Sequence, residues 1–389
     1  MKIKLGEVVD KIVGDDDRLT TSKKYYIGGE HIDTARIRVT QRGILDSDRG
    51  RTLGYQFHYP FEPGDVLFMT KNPYLRKCGL VDFEGICSIA TFVLRTKDPE
   101  VLDQRFLAVV TQTDDFWNYL EANKSGSVNY FITWKTMEKY EFELPGIDRQ
   151  KQIAEAIWSI EETRLSYEKL IEKTEALIQS RFVEMFGALG TDVNEWGLTT
   201  LGECCVLNPK RPKDVSDDLD VSFVPMPAVS EHGQMDTTDI KKYREVKKGF
   251  TYFAENDVLF AKITPCMENG KGAVASGLSN GIGSGSTEFH VLRPIDGVSN
   301  PYWLYTITMF EQFRKEARRV MTGTGGQLRV PINFLNTYQI SLPPISLQEK
   351  FEMFVKQGED TIASTQTALD ELIKYYKKFL TEIIVKGKE

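Results

Sequence analysis

The chain contains the segment Leu144-Pro145-Gly146-Ile147-Asp148-Arg149-Gln150-Lys151. A similar segment occurs later as Leu342-Pro343-Pro344-Ile345-Ser346-Leu347-Gln348-Glu349. The second copy lies 198 positions after the first (342 minus 144). Each copy opens a long run of helix-forming sequence, and the apolar positions of the two runs keep the same phase. The sequence therefore predicts two copies of one module, each followed by its own long helix.

The two helical runs carry the spacing of a left-handed coiled coil. Apolar residues alternate steps of four and three along the second run, and the first run repeats this spacing. Asp148 as an N-cap and Ser346 with Glu349 as a capping box mark the predicted helix starts. The other helix is the simplest partner for each seam. The seam positions are Ile153, Ile157, Ile171 and Ile178 in the first run and Phe351, Val355, Leu369, Leu372 and Tyr376 in the second.

Length and composition indicate an ordinary globular protein. The 389 residues are 41% hydrophobic and 27% charged, which is enough chain for two or three domains. No stretch has the apolar length of a signal peptide or a bilayer span, so we expect a cytoplasmic protein with no membrane contact. The five cysteines show no CxxC spacing, which argues against a disulfide framework and a zinc site.

The formal net charge of −7 shows no overall positive field for nucleic acid, yet basic residues crowd three short segments. Such clusters are either solvated surface charge or local DNA-binding faces, and their presence in both halves favours DNA. The three clusters are Arg36, Arg38, Arg42, Arg49 and Arg51; Lys241, Lys242, Arg244, Lys247 and Lys248; and Arg314, Lys315, Arg318 and Arg319.

Matched phrases define the module. Lys4-Leu5-Gly6-Glu7 returns as Thr200-Leu201-Gly202-Glu203 just after the loop of residues 187–197, which is the natural boundary between the copies. Turn residues, apolar strands and Pro-marked helix starts follow at equivalent places in both copies. The predicted pairs are the strands after Asp65 and Asp257, the strands 88–95 and 286–293, and the helices introduced by Asp98-Pro99 and Asn300-Pro301.

Two kinds of loop recur in both modules and offer hydrogen bonds. Lys124-Ser125-Gly126-Ser127 and Thr322-Gly323-Thr324-Gly325-Gly326 follow a helix, and their free backbone N–H groups suit either a phosphate or a helix C-cap. Residues 70–77 and 262–271 follow equivalent strands and present Lys, Arg, Thr and Asn. These side chains suit base edges and phosphates, although an ordinary polar loop has the same composition.

Catalytic patterns are weak. Asn72-Pro73-Tyr74 is a shortened form of the loop with which amino-methyltransferases hold a flipped base, and no glycine-rich cofactor motif precedes it. The four histidines lack metal-ligand spacing, and no nucleophile lies beside a base. An adenine methyltransferase remains a rival interpretation, but the sequence favours a protein without catalytic groups.

Three phrases together resemble the specificity subunits of type I restriction-modification systems over essentially the whole chain. They are residues 257–271, residues 285–293 and the Leu-Pro…Gln helix starts at Leu144 and Leu342. The resemblance implies an α+β fold in which two similar target-recognition domains are joined by two long helices that form an antiparallel coiled coil, with an internal pseudo-twofold repeat. The implied division is residues 1–143 and 199–340 for the two domains, 144–186 and 341–389 for the spacer helices, and 187–198 for the linker.

The same resemblance implies a non-catalytic subunit that recognises a bipartite sequence in double-stranded DNA. Each domain of such a subunit reads one half-site, and the helices bind two modification subunits that methylate adenine with S-adenosylmethionine. Restriction subunits that use ATP and Mg join the complex. Gly358, Arg164 and Thr174 depart from the apolar seam, and we interpret them as room or polarity where the modification subunits dock.

The loop chemistry and the resemblance together predict the DNA contacts. The candidates are Lys71, Arg76, Lys77, Lys124 and Ser125 in the first domain and Lys262, Thr264, Lys271, Thr322, Gly323 and Gln327 in the second. A coiled-coil scaffold or DNA mimic that captures modification subunits without reading DNA is the alternative, and the acidic net charge permits it.

Overall fold

A computed structural model of the protein describes residues 2–46, 52–324 and 326–386, with the side chains of 382–386 excepted. Arg49, Arg51 and Gly325 of the predicted basic segment and loop lie outside these ranges. The chain forms two compact units. Unit 1 comprises the residues up to Ser166 and those from Leu369 on, and unit 2 comprises Tyr167–Ala368. No helix in the described ranges is long and apolar enough to span a membrane.

The part of unit 1 that precedes the first long helix, here called module 1, mixes short strands and helices. Its strands are β1 Lys2–Lys4, β2 Val9–Ile12, β3 Tyr25–Ile27, β4 Gly43–Ile44, β5 Phe57–Phe61, β6 Val66–Met69, β7 Cys78–Leu80, β8 Gly85–Ser88, β9 Thr91–Thr96 and β10 Glu141–Glu143. Its helices are α1 Leu5–Val8, α2 Gln104–Val110, α3 Asp114–Ala122 and α4 Trp134–Met137. The long helix α5 then covers Ile147–Phe186.

The part of unit 2 between the two long helices, here called module 2, repeats this order. Its strands are β11 Leu198–Thr200, β12 Cys205–Leu207, β13 Asp220–Val224, β14 Ile240–Lys242, β15 Thr251–Ala254, β16 Val258–Ala261, β17 Gly272–Val274, β18 Ile282–Gly285, β19 Phe289–Pro294, β20 Thr322–Thr324, β21 Gln327–Arg329 and β22 Gln339–Ser341. Its helices are α6 Leu201–Cys204, α7 Tyr243–Val246, α8 Pro301–Met309, α9 Glu311–Arg319 and α10 Ile332–Thr337. The long helix α11 covers Ile345–Lys386.

The sheets of the two modules have the same topology. Module 1 contains the orders β2-β9-β6-β7 and β4-β3-β8-β5, and module 2 contains β12-β19-β16-β17 and β14-β13-β18-β15. In each module one strand pair is parallel, β3 with β8 and β13 with β18, within otherwise antiparallel sheets. The predicted α+β repeat is therefore confirmed by the four-stranded sheets, to which module 2 adds the two-stranded sheet of β20 and β21.

A buried ion pair stabilises the equivalent turn in each module. Asp65 and Asp257 are 2% and 1% exposed, and each binds an arginine from the neighbouring strand with both oxygens. Arg95 donates to Asp65 over 2.8 and 2.9 Å, and Arg293 donates to Asp257 over 2.7 and 2.7 Å. The bidentate geometry compensates the burial of each carboxylate. The predicted acidic turns thus close on their own strands.

The two long helices pack antiparallel within each unit. In unit 1, Ile153 and Ile157 of α5 share a core with Tyr376 and Leu380 of α11. In unit 2, the ring centroids of Phe182 in α5 and Phe351 in α11 are 5.6 Å apart. Of the predicted seam, only Leu372 is half-buried, and the buried positions are Ile153, Ile157, Ile171, Ile178, Phe351, Val355, Leu369 and Tyr376. The predicted coiled coil is confirmed.

The structural reason for a glycine at position 358 differs from the one that the sequence indicated. A Cβ at this position would lie 2.7 Å from Cδ1 of Ile178 and 3.5 Å from Cγ2 of Thr174, both on the facing helix. The missing side chain therefore makes room for Ile178 inside the helix pair. The interpretation of Gly358 as space for a docked subunit is wrong, since the partner helix fills that space.

A buried glutamine connects each long helix to its module. Gln150 and Gln348 are both fully buried. Gln150 donates to the carbonyls of Val101 and Pro145, each over 2.9 Å, and accepts the N–H of Asp103.

Gln348 makes the same three bonds in module 2. It donates to the carbonyls of Val298 and Pro343 over 3.0 and 2.8 Å, and it accepts the N–H of Asn300 over 2.8 Å. Asp103 and Asn300 are the N-caps of α2 and α8. Each glutamine of the repeated phrase therefore joins the start of a spacer helix to the start of a module helix.

Charged contacts also hold each module against α5. The buried Glu161 accepts from Arg36 over 2.9 Å, and Glu162 accepts from Arg38 over 2.7 Å. In unit 2, Glu175 lies 2.6 Å from Nδ1 of His232. The hydrogen bond to Glu175 raises the pKa of the His232 imidazole, although partial burial opposes the shift. Module 1 therefore uses permanently charged arginines where module 2 uses a titratable histidine.

Several predicted boundaries differ from the structure. Helix α8 begins at Pro301 with Asn300 as its N-cap, as predicted, but Asp98-Pro99 forms a turn and α2 begins later, at Gln104. The predicted strands 88–95 and 286–293 begin with serine turns, because the hydroxyls of Ser88 and Ser286 accept the N–H two residues on.

Helix starts and the glycine loops also differ. The long helices begin at Ile147 and Ile345, so Asp148 and Ser346 lie in their first turns and are not N-caps. Helices α3 and α9 end at Ala122 and Arg319, before the glycines of the following loops, so those glycines are not C-caps. The division of the chain into five segments stays a prediction.

We expect Gln348→Leu to lower the free energy of unfolding by about 2–4 kcal/mol, because it leaves one buried N–H and two carbonyls without partners. Urea denaturation of the full chain, followed by circular dichroism, measures this loss. Gln357→Leu is the matched control, since Gln357 is exposed on the same helix. Equal midpoints for the two variants would contradict the assigned role of Gln348.

Candidate nucleic-acid interface

The two predicted loops of module 1 lie side by side. Lys71 and Ser125 each form a bridge with Phe131, and the N–H of Asn72 donates to the carbonyl of Tyr130 over 2.9 Å. The ammonium of Lys124 lies 4.2 Å from the centroid of the Tyr130 ring and 2.8 Å from Glu121. The loop after β6 and the loop after α3 thus form one surface, here called loop pair 1 (residues 70–77 and 124–132).

The equivalent loops of module 2 also meet. The N–H of Thr264 donates to the carbonyl of Leu328 over 3.0 Å, and Val330 donates to the carbonyl of Lys262 over 2.9 Å. Strands β20 and β21 make a hairpin on which Thr322, Gly323 and Gln327 are exposed. The loop after β16 and this hairpin form loop pair 2 (residues 262–271 and 322–330, without the undescribed 325). Chain topology therefore brings together residues that lie far apart in the sequence.

An ion pair braces loop pair 2. Arg329 donates to both oxygens of Glu288, over 2.9 Å from Nε and 2.7 Å from Nη2. The hydrogen bonds from Arg329 hold the pKa of Glu288 below its usual value, and partial burial opposes this shift. The ion pair fixes the hairpin against the N-terminal end of β19, so the exposed residues of the hairpin have a defined position.

Lys262 lies beside this ion pair and is half-buried. Burial lowers the pKa of its ammonium, and the charge of Arg329 adds to the shift while Glu288 opposes it. Thr264 donates its hydroxyl to Glu268 over 3.0 Å. Both residues lie on the surface that the sequence predicted. Burial leaves the Lys262 ammonium less hydrated than the ammonium of an exposed lysine.

Three more of the predicted contact residues are engaged inside their modules, in addition to Lys124 and Thr264. Arg76 lies 2.5 Å from Asp114, and Lys77 donates to the carbonyl of Gly29 over 2.5 Å. Lys271 donates to the carbonyl of Val229 over 3.0 Å. These bonds hold neighbouring segments of each module in place. Their role in DNA contact stays a prediction.

Nearby carboxylates pair with most of the described cations in the first two basic segments but only with Lys315 in the third, which the sequence did not reveal. In the first segment, Arg36 and Arg38 bind glutamates of α5, and the Arg42 guanidinium lies 4.1 Å from the Tyr25 ring centroid. The ion pairs of the other two segments are Lys241–Asp239, Lys242–Asp220, Arg244–Asp218, Lys247–Asp217 and Lys315–Glu311. These clusters are thus weaker support for DNA binding than their sequence indicated.

Exposed apolar side chains on loop pair 1 were missed by the sequence reasoning. Tyr74 is 61% exposed, Val128 is 84% exposed and Phe131 is 41% exposed. Aromatic rings beside lysines are a common surface for nucleic-acid bases and sugars. Each of the two loops carries a lysine and an aromatic residue, namely Lys71 with Tyr74 and Lys124 with Phe131. This shared surface is visible only in the folded structure, where the loops lie side by side.

The cysteines and acidic residues form no metal centre in the described ranges. Cys78, Cys87, Cys204 and Cys205 are buried thiols, Cys266 is half-buried, and all five are free. Within the same ranges no group of three His, Cys, Asp or Glu residues is placed to hold an ion. Asn72, the first residue of the methyltransferase-like tripeptide, has a left-handed backbone conformation with φ of 54°.

Comparison with known proteins identifies the family. The model of the type I restriction modification DNA specificity domain matches residues 1–176 and again residues 194–374. The chain belongs to this DNA specificity family. The two matches repeat the duplication that the sequence and the strand order show, and the resemblance drawn from the sequence phrases is confirmed.

The relatives of this specificity-family chain support that assignment. The EcoAI specificity subunit of a type I restriction enzyme from Escherichia coli is 45% identical over 157 residues, which are 40% of this chain and 26% of the relative. The EcoEI specificity subunit, also from Escherichia coli, is 39% identical over 190 residues, which are 46% of this chain and 32% of the relative. The matches thus span less than a third of either relative.

A solved structure shows the same fold. The crystal structure of a type I restriction-modification system S subunit from M. genitalium superposes with a TM-score of 0.57 at 14% identity. The superposition covers 99% of this chain and 96% of that chain. The likeness at this identity concerns the fold, which is the two-module α+β repeat with two long helices.

We expect Arg329→Gln to loosen loop pair 2, because it removes the bidentate contact with Glu288. Hydrogen exchange at the amides of Thr264 and Val330 should become faster by up to about fivefold, the scale of a solvent-exposed ion pair. Arg318→Gln, an exposed change on α9, serves as the control. Unchanged exchange in Arg329→Gln would show that the hairpin is held by its backbone bonds alone.

Proposed function

We propose that this chain is a non-catalytic DNA specificity subunit that recognises a bipartite target, one half with each module. The observation that carries the proposal is the placement of loop pair 1 and loop pair 2. Each pair joins a loop after the same sheet strand to a loop after an equivalent helix, so the family's two matched copies present comparable polar surfaces. Backbone N–H groups, lysines and hydroxyls on such loops suit phosphates and base edges.

The proposed contacts differ between the modules. In loop pair 1, Lys71 is exposed on the same loop as Tyr74 and forms a bridge with Phe131 of the loop that contains Lys124, which suits a phosphate beside a base or sugar. In loop pair 2, Thr322, Gly323 and Gln327 are exposed beside Lys262 and Thr264. We assign Arg76, Lys77 and Lys271 a positioning role, since their charged groups already bond within the modules.

Partner subunits supply the chemistry in this proposal. Two modification subunits would methylate adenine with S-adenosylmethionine, and restriction subunits would use ATP and Mg. Exposed apolar residues outside the helix seam support such docking: Leu177 of α5 is 57% exposed, and Met353 and Tyr375 of α11 are 64% and 56% exposed. Apolar side chains on the outer faces of a helix pair favour burial against other chains.

The acidic net charge of −7 has a consequence for affinity. Phosphate neutralisation supplies most of the affinity of DNA-binding proteins, and this chain presents few unpaired cations on each loop pair. We therefore expect weak, salt-sensitive binding by the isolated chain and tighter binding by the complex. A scaffold or DNA mimic that captures modification subunits without reading DNA is the alternative. The ion pairs within the basic segments favour this alternative, because they leave fewer free positive charges for DNA.

We expect Lys71→Ala to weaken DNA binding by the assembled complex and to reduce the slope of log affinity against log salt by about 1, because one phosphate contact is lost. Fluorescence anisotropy over a salt series measures both quantities. Lys97→Ala is the matched control, because Lys97 is exposed and lies at the opposite end of the antiparallel strands β6 and β9 from Lys71. Identical slopes for both variants would remove Lys71 from the DNA surface.

We expect exchange of residues 199–340 for another recognition domain of the family to change one half of a split methylation motif and to leave the other half unchanged. Sequencing of methylated adenines in cells that carry the chain with a modification subunit reads out both halves. The unexchanged chain is the control. An assembled complex that adds no methylation would favour the scaffold alternative.

A further inference from the structure

A cavity of about 220 Å³ lies in unit 2 between module 2 and the two long helices. Module 2 contributes Tyr305 and Met309 of α8 and Arg314 of α9, and the helices contribute Ile178, Val355 and Glu359. A water molecule occupies about 30 Å³ of the liquid, so the space is large enough for a small ligand. Its walls combine apolar and ionisable groups, which is the composition of a ligand site.

Most charges at this cavity have partners. Glu175 binds His232 over 2.6 Å. Arg314 donates to the carbonyls of Thr308 and Gly270 over 3.1 and 3.4 Å. Burial lowers the pKa of Arg314, and the charges of Glu175 and Glu231 act against that shift through space. These two carboxylates therefore balance the histidine and the arginine, with no surplus of negative charge.

Glu359 is the exception. Among the described residues it accepts no hydrogen bond, and no cation lies within 4 Å of its carboxylate. The nearest lysine on its helix, Lys356, is instead paired with Glu352 at 2.5 Å. Burial raises the pKa of Glu359 to about 7, and the charge of Asp360 adds to the shift. Glu359 therefore presents to the cavity a half-buried carboxylate without a hydrogen bond or ion pair among the described residues, and Lys356 offsets its charge only through space.

The remaining wall is mainly apolar near this carboxylate. Ile178, Val355 and Ile362 line the helix side, and Met309 lines the module side. Tyr305 is 6% exposed, and its hydroxyl has no hydrogen-bond partner among the described residues. A single carboxylate beside aliphatic side chains is complementary to a cation on a short hydrocarbon chain.

We propose that this cavity binds a small protonated aliphatic amine, with its ammonium on Glu359 and its hydrocarbon chain against Ile178, Val355 and Ile362. A monoamine and one end of a diamine share this chemistry. Because module 2 and the long helices both line the cavity, a bound amine would contact both and would hold module 2 against its helices. The proposal rests on the cavity alone and stands whether or not the chain reads DNA.

Calorimetric titration of the full chain with n-butylamine at pH 8 tests the site. We expect saturable binding with one site per chain, and a dissociation constant at least about tenfold weaker for Glu359→Gln, equivalent to about 1.4 kcal/mol. Glu349→Gln is the matched control, since it removes the same charge from an exposed position on the same helix. Butane-1,4-diamine in a parallel titration distinguishes a diamine from a monoamine ligand.

The pH dependence has a defined sign. Lowering the pH from 8 to 6 protonates Glu359, so the affinity for the amine should fall by about tenfold. His232, Glu175, Glu231, Arg314 and Tyr305 also face the cavity, and Asp360 and Lys356 flank Glu359. Protonation of His232, whose pKa is raised by the hydrogen bond to Glu175, adds positive charge and acts in the same direction. Glu359→Gln should lose the part of the dependence that comes from Glu359 and keep the part that comes from His232.

Three results would overturn the proposal. They are equal binding of n-butylamine by the wild type and Glu359→Gln, an equal response to the uncharged n-butanol, and a response that sodium chloride reproduces at the same ionic strength. Thermal unfolding provides the folding control. Glu359→Gln should be at least as stable as the wild type at pH 8. Because the pKa of Glu359 is raised, the folded wild type loses stability as the pH rises through about 7 and this carboxylate ionises.

Discussion

The rest of the structure depends on the three hydrogen bonds of one buried glutamine in each copy of the module. Gln150 and Gln348 are fully buried, and each satisfies an N–H and a carbonyl just before a module helix and a second carbonyl just before a long helix. A buried amide with one satisfied acceptor and two satisfied donors tolerates few other orientations. The repeated Leu-Pro…Gln phrase therefore sets the angle at which each long helix leaves its module.

The duplication extends from sequence to individual atoms, and the places where it fails are informative. The ion pairs Asp65–Arg95 and Asp257–Arg293 are equivalent in burial and geometry. The contacts that hold each module on α5 are not equivalent, because module 1 uses Arg36 and module 2 uses His232. Module 2 also has the cavity around Glu359. Core and turn chemistry is shared, whereas the contact with the long helices has diverged.

Sequence reasoning predicted the framework better than the surface. The seam of the coiled coil followed from heptad spacing, and only Leu372 is less buried than expected. The loops of the candidate DNA interface were also identified, since duplicated positions drew attention to them. It erred at Gly358, which accommodates Ile178 of the facing helix, and it did not reveal that Lys271 bonds to backbone carbonyls of its own module. The support that the basic segments give to DNA binding was overestimated, because composition does not reveal which carboxylate pairs with each cation.

The sequence by itself determined the repeat, the two long helices and their seam, because these depend on local spacing that each segment carries independently of its neighbours. It also carried enough specific phrases to indicate the family. The tertiary structure alone decided which loops meet, which cations are neutralised and where Glu359 lies without a hydrogen bond or ion pair among the described residues. Many of those features join residues far apart in the sequence, such as Arg36 with Glu161, which are 125 positions apart. Their energies depend on distance and burial, which no local pattern specifies.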